Sequence, residues 1–256
     1  MAPYGCGLGV RASTDLVKRS APLKSTLLKA LAIALALLDF APVFFLSLGL
    51  FFLAQLVDRL DPKCRKLALS GFLLVTLGAL ARAASNLSLA ILEQEIPVLA
   101  TSLYVFAGPG FTLMAGALIR SRATWLGLET RRDPWLAPTL LSWLFLLAAF
   151  YLNSAFEGRG EWQRVLLALA LFGSAATCLA AARLGWTQKL HMAAALFAFN
   201  LGGTSVFVLL RYFVPQGLLI QLVGEVLNLA AQAAFAFASW RVAAEFHARV
   251  GPTAPV

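Results

Sequence analysis

The sequence predicts an all-α fold, a polytopic membrane protein built as a seven-transmembrane helical bundle. Hydrophobic residues make up 60% of the 256 residues and charged residues only 13%, and the mean hydropathy is +0.80. A soluble domain has about 45–50% apolar and about 25% charged residues. Because this chain would expose far more apolar surface than water tolerates, we expect the lipid bilayer to be its solvent.

The first region of the chain, residues 1–29, is predicted to be a flexible, basic N-terminal tail. It contains five Lys and Arg residues and is followed by an apolar stretch that runs to Val57. That stretch is longer than the apolar region of a secretory signal peptide, which has about 7–15 residues. We therefore predict a first transmembrane helix here rather than a cleaved leader.

Six further apolar stretches follow, separated by loops that contain charged residues or proline. Each is close to the length of about 20 residues that a helix needs to cross the hydrocarbon core. The predicted transmembrane domain covers residues 30–246, and residues 247–256 form a short C-terminal tail. The predicted helices cover about 33–57, 67–90, 97–119, 136–155, 165–182, 190–212 and 217–240.

The distribution of Lys and Arg predicts the orientation of the bundle. Loops one, three and five and the C-terminus together contain twelve of these residues, whereas loops two, four and six contain three. Because cytoplasmic loops are enriched in Lys and Arg, we predict a cell-membrane protein with its N-terminus outside and its C-terminus in the cytoplasm. The five basic residues of the tail oppose this orientation.

Helices 1–3 and 5–7 show a faint similarity that suggests a parallel repeat of the 3+1+3 type. Loop one reads Asp-Pro-Lys-Cys-Arg-Lys-Leu, and loop five reads Gly-Trp-Thr-Gln-Lys-Leu. This organisation is similar to that of the opsins and the PQ-loop transporters. However, no lysine follows Lys189, so helix seven cannot form a retinal Schiff base. The single Pro-Gln dipeptide, at 215–216, lies in a loop, and we therefore predict membership of neither family.

A polar stripe on helix seven is the clearest functional signal in the sequence. Gln221, Glu225, Asn228 and Gln232 have the spacing i, i+4, i+7 and i+11, which places them on one helical face. Such a face is costly against lipid because polar groups there lack partners. We expect it to face the interior of the bundle or an aqueous cavity.

Polar residues on other helices are predicted to lie at a similar depth. The rise of about 1.5 Å per residue places Arg82 within pairing distance of Glu225 along the membrane normal. A polar cluster is therefore predicted in the outer half of helices 1, 2, 3, 6 and 7. Besides the stripe, its predicted members are Asp39, Arg82, Asn86, Tyr104, Asn200 and Thr204.

Two interpretations of this cluster remain open from the sequence. Glu225 and Arg82 could form a structural ion pair, with the amides as interhelical hydrogen bonds. Alternatively, the cluster forms a ligand or ion site that opens to the outside. Helix three adds a backbone signal, Gly108-Pro109-Gly110, which predicts either a hinge at a binding site or a simple packing kink.

The sequence favours binding or transport of a small solute or ion through an outward-facing polar pocket. The alternatives are a membrane-embedded enzyme acting on lipid or isoprenoid substrates, and a sensor or subunit of a larger complex. A sealed bundle without a cavity would favour the sensor or subunit.

No catalytic motif, metal site or cofactor is predicted, because CxxC, HExxH and GxSxG patterns are missing. Expected partners are membrane lipids, a small-molecule or ion ligand, and a second membrane protein or another copy of this chain, but not nucleic acid.

Overall fold

The computed structural model describes residues 29–94, 96–128, 133–155, 161–213 and 218–250. Within these ranges the chain forms seven long helices and no strands. Helices α1 to α7 cover Lys29–Leu60, Arg65–Leu92, Pro97–Trp125, Leu136–Ala155, Glu161–Thr187, His191–Phe213 and Leu218–Val250. The predicted tail up to residue 28 and the terminal residues 251–256 lie outside the described residues.

Each of the seven helices is long and apolar enough to cross a bilayer. This confirms the predicted all-helical class and fits a multi-pass membrane protein. The bounds of α4 agree with the prediction, whereas α7 extends ten residues beyond its predicted end, to Val250. The extension is held by packing, because Phe246 is only 1% exposed and its ring contacts Trp125 edge-on at 5.3 Å.

Six of the helices form a closed ring, and α4 lies outside it. Around the ring, α1 packs on α2, α2 on α3, α3 on α5, α5 on α6, α6 on α7, and α7 on α1. Helix α4 packs mainly against α3 and α5. Its outer face is apolar and exposed, with Leu144 at 63% and Phe150 at 73% of full exposure. Such a face is suited to contact with lipid.

Helix α3 contacts α2 through glycine and contacts α5 through a side-chain hydrogen bond. A Cβ at Gly110 would lie 2.9 Å from the backbone nitrogen of Val75 and 3.0 Å from the carbonyl oxygen of Gly71. Only glycine therefore allows α2 and α3 to approach this closely. Towards α5, Thr177 donates a hydrogen bond of 3.3 Å to the carbonyl oxygen of Phe111.

One half of the ring, next to the α1–α2 connection, is filled by an apolar core. The largest side chains at the centre of this half are less than 2% exposed. They are Leu53, Leu56, Leu67, Met114, Leu118, Leu184 and Phe246.

Candidate functional site

A partly enclosed cavity of about 530 Å³ lies inside the ring, in the half opposite this core. All six ring helices line it, and α4 does not. Most lining residues come from the first halves of α1, α3, α5 and α7 and from the last halves of α2 and α6. The cavity therefore lies on the side of the even-numbered loops. Its volume is within the range of about 300–1,000 Å³ that is typical of small-molecule sites.

The cavity ends near the middle of the helices. Among its deepest lining residues, Leu46, Phe111 and Phe235 lie close to the midpoints of α1, α3 and α7. Phe235 is 2% exposed, and its ring contacts Phe197 edge-on at 5.8 Å. The same ring lies against Gly49 of α1, where a Cβ would be only 2.5 Å from the ring. Phe235 thus forms the floor of the cavity.

Nine of the ten residues that the sequence singled out as ligand-binding candidates line this one cavity. They are Asp39, Arg82, Asn86, Tyr104, Asn200, Thr204, Glu225, Asn228 and Gln232. The tenth, Gln221, is exposed and does not line it. Helix α5, which was not expected to contribute, adds Ser174 and Cys178.

A hydrogen bond between α1 and α2 holds a carboxylate at the cavity wall. Asp39 of α1 accepts this bond of 2.6 Å at Oδ2 from Asn86 Nδ2 on α2. One helical turn before Asn86, Arg82 Nη1 donates a hydrogen bond of 3.2 Å to the carbonyl oxygen of Ala100 on α3. These bonds connect α1, α2 and α3 at one level of the wall.

Arg82 and Glu225 line the same cavity, but they do not form the ion pair that the sequence suggested as one interpretation. None of the ion pairs within 4.0 Å among the described residues joins them. Glu225 is buried, at 7% exposure, and interacts with another group of the protein. Both charged groups therefore belong to the cavity wall, but they are too far apart to form an ion pair with each other.

A second group of polar side chains lies on the α6–α7 wall. Asn200, only 4% exposed, donates a hydrogen bond of 2.9 Å to the carbonyl oxygen of Ala231 on α7 and accepts one of 3.3 Å from Cys178 Sγ on α5. One turn further along α6, the hydroxyl of Thr204 is buried and has no hydrogen-bond partner in the described part of the chain. The Gln232 amide is 3.5 Å from Asn228 Oδ1, a long contact. The Thr204 hydroxyl and the Gln232 amide can therefore still form hydrogen bonds with a ligand at this wall.

The Gly108-Pro109-Gly110 segment does not line the cavity. Helix α3 is continuous through it. Gly108 faces α5, where a Cβ would lie 3.2 Å from the carbonyl oxygen of Leu166, and Gly110 faces α2. Both glycines thus lie at close helix contacts, and the proposed hinge stays a prediction.

An exposed ion pair lies near the same end of α1 and α2. Lys29 Nζ donates a hydrogen bond of 2.7 Å to Glu93 Oε1. The Lys29 ammonium holds the pKa of the Glu93 carboxyl below its ordinary value. Since both side chains are at least half exposed, we expect this pair to contribute little to stability.

The sequence reasoning missed a buried polar cluster at the opposite end of the bundle. Asp61 is 5% exposed. Its carboxylate accepts hydrogen bonds from the backbone nitrogen of Lys63 at 3.2 Å and from Thr124 Oγ1 at 3.1 Å. It also forms an ion pair with Arg120 Nε at 3.8 Å. The signal that could have revealed it is the Asp61-Pro62 pair, which is typical of a helix start.

No protein-family model, curated protein or solved structure matches this chain. Among the described residues, no three His, Cys, Asp or Glu side chains are grouped so that they could hold a metal ion. The chemistry of the cavity is thus the basis for assigning a function.

Proposed function

We propose that this chain binds a small solute in the cavity and carries it across the membrane by alternating access. The observation that carries the proposal is the shape of the site. Polar residues from all six ring helices converge on a cavity that ends near the helix midpoints, while an apolar core fills the other half. Transporter sites lie near the middle of the bilayer and are closed towards one side at a time. A bundle that only supported a partner would have no need for such a cavity.

The charge distribution supports an outward-facing site. The cavity lies on the side of the loops with three Lys and Arg, and the core lies on the side with twelve. Because cytoplasmic loops are enriched in Lys and Arg, this distribution supports a cavity that opens to the outside. The ring order also agrees with the proposed 3+1+3 repeat, because α1–α3 and α5–α7 occupy opposite arcs. Rocking of one arc against the other would expose the site to the cytoplasm.

The floor of the cavity lies at a boundary between these two arcs. Phe235 of α7 packs against Gly49 of α1. Its aromatic side chain therefore closes the inner end of the cavity, where the first and last helices meet. A contact between one aromatic ring and a glycine has no polar bond to break. We therefore place the moving gate at this contact.

Access to the cavity from each side of the membrane tests the proposal. Cys6, Cys64 and Cys178 are first replaced by alanine, and Asn228→Cys is then introduced on the cavity wall. A membrane-impermeant thiol reagent is applied from either side of right-side-out or inside-out vesicles. The matched control is Ser239→Cys, on the same helix but fully buried in the filled half.

Labelling of Asn228→Cys from outside, with none at Ser239→Cys, is expected for an outward-facing site. Additional slow labelling of Asn228→Cys from the cytoplasm is expected for transport. Labelling from outside alone would support binding without passage and contradict the carrier. If a folded Asn228→Cys variant is labelled from neither side, the stripe is buried structure and the proposal fails.

A further inference from the structure

Two charged side chains of the cavity wall are bonded to neutral groups alone. The Arg82 guanidinium donates to the carbonyl oxygen of Ala100, and the Asp39 carboxylate accepts from the Asn86 amide. In the described part of the chain, neither takes part in an ion pair within 4.0 Å. A charge within a membrane protein costs several kcal/mol unless it is paired or serves a function. Both side chains therefore have unused capacity for an ionic partner.

The α2 residues Arg82 and Asn86, of which Asn86 binds Asp39, lie on one wall of the cavity. Asn86, which holds Asp39, follows Arg82 by four residues on α2, a rise of about 6 Å. Both α2 residues and Asp39 line the cavity. The positions on α2 that present the positive group and hold the negative one are thus about one helical turn apart, with the guanidinium bonded towards α3 and the carboxylate held on α1.

The surroundings of this charged pair are mainly apolar. Aliphatic and aromatic side chains from the ring helices cover most of the remaining wall and the floor. They include Val43, Leu46, Leu103, Phe111, Leu171 and Phe207. A matching ligand therefore has a small charged head and an apolar body.

We propose that the solute is a zwitterion with an ammonium and a carboxylate on one compact head and an apolar body, as in an α-amino acid with a large apolar side chain. Arg82 binds the carboxylate, Asp39 binds the ammonium, and the apolar body lies against the aromatic and aliphatic wall. A plain anion would leave Asp39 without a counter-charge, and a plain cation would leave Arg82 without one. The zwitterion supplies both, and it carries no net charge into the membrane. This inference rests on the proposed function, because it identifies the solute of the same cavity.

Four compounds with one common body test the charge requirement. L-Phenylalanine carries both charges, L-phenylalaninamide only the ammonium, N-acetyl-L-phenylalanine only the carboxylate, and N-acetyl-L-phenylalaninamide neither. Each is added to the full chain carrying Asn228→Cys in the cysteine-free background, reconstituted in lipid nanodiscs. The readout is the concentration that halves the rate of thiol labelling, with the unfolding temperature as a second measure of binding.

L-Phenylalanine is expected to protect Asn228→Cys at concentrations at least tenfold lower than the other three compounds. Arg82→Gln should remove the advantage of a free carboxylate, so that phenylalanine and its amide protect equally. Asp39→Asn should remove the advantage of a free ammonium, so that phenylalanine and its N-acetyl derivative protect equally. Arg59→Gln, an exposed position at the other end of α1, is the control and should leave the order unchanged.

Several results would overturn the inference. Equal protection by all four compounds would mean that the charges do not recognise the head. Best protection by the amide or by the N-acetyl derivative would assign a cation or an anion instead. If Asn228→Cys is labelled from outside but none of the compounds protects it, the zwitterion is wrong while the outward-facing cavity stands. If Asn228→Cys is not labelled at all, both proposals fail together. If Asp39→Asn does not fold, Asp39→Glu is the second variant: because it keeps the charge, it should keep the advantage of a free ammonium, and equal protection by phenylalanine and its N-acetyl derivative there would contradict the inference.

Discussion

Asn86 on α2 donates a hydrogen bond of 2.6 Å to Asp39 on α1. Both residues line the cavity, and the amide holds the carboxylate at its wall. Because the acceptor is charged and partly buried, the bond should stabilise the protein more than a bond between neutral groups. The pair therefore links the packing of the first two helices to the geometry of the candidate site.

Asn86→Ala is expected to lower the free energy of unfolding by about 1.5 kcal/mol, the lower limit for a hydrogen bond to a charged group. Chemical denaturation in detergent micelles, followed by tryptophan fluorescence, measures this change. Asn153→Ala, at an exposed position on α4, is the control and should change it by less than about 0.5 kcal/mol. Equal losses for both variants would contradict a stabilising role of the Asn86–Asp39 bond.

Gly110→Ala is expected to destabilise the bundle because the new methyl group would collide with the α2 backbone near Val75. Overpacking of this kind costs about 1–3 kcal/mol. Gly202→Ala on α6 is the matched variant, since a Cβ there meets nothing within 4 Å. It should be neutral or stabilising by up to about 1 kcal/mol, because alanine favours helix formation over glycine. Thermal unfolding of both variants measures the difference, and a wild-type melting temperature for Gly110→Ala would rule out the close contact.

Asp61→Asn is expected to be more destabilising than Asp58→Asn. The Asp61 side chain is 7% exposed and pairs with Arg120, whereas the Asp58 side chain is 38% exposed and pairs with Arg65. Loss of one partner from a fully buried pair costs about 3–5 kcal/mol. We expect about 2 kcal/mol here because Arg120 keeps some contact with solvent. The exposed pair should contribute no more than about 1 kcal/mol. Unfolding free energies of the two variants decide the order, and equal values would show that the Asp61 cluster is not stabilising.

The helices were predictable from the sequence because an apolar stretch of membrane length has a strong compositional signal. The convergence of polar residues was also predictable, because the 3.6 residues per turn of a helix determine which residues share a face and the rise per residue determines their depth. The C-terminal end of α7 was not, since residues near Phe246 are held by a contact with Trp125, far away in the chain. Such a contact leaves no periodic pattern in the sequence.

The contribution of α5 to the cavity could not be inferred, for a different reason. Ser174 and Cys178 are small residues in an apolar helix, where they serve equally well as packing residues. The position of α4 outside the ring was equally hidden, because its composition resembles that of the ring helices. The Arg82–Glu225 ion pair, one of the two interpretations of the cluster, does not form among the described residues, because depth along the membrane fixes only one of three coordinates.

Phe235→Ala is expected to open the floor of the cavity. The ring is 2% exposed and fills the space between Phe197 and Gly49, so its removal joins the cavity to the core below. In the cysteine-free background, Ser239→Cys should then be labelled from outside at least tenfold faster than with Phe235 present. Phe246→Ala is the matched control, because this equally buried ring lies at the far end of the filled half. Both substitutions should cost about 3–5 kcal/mol of stability, but Phe246→Ala should leave outside labelling of Ser239→Cys unchanged. Equal acceleration by the two variants would mean that general loosening exposes Ser239, and Phe235 would then not be the gate.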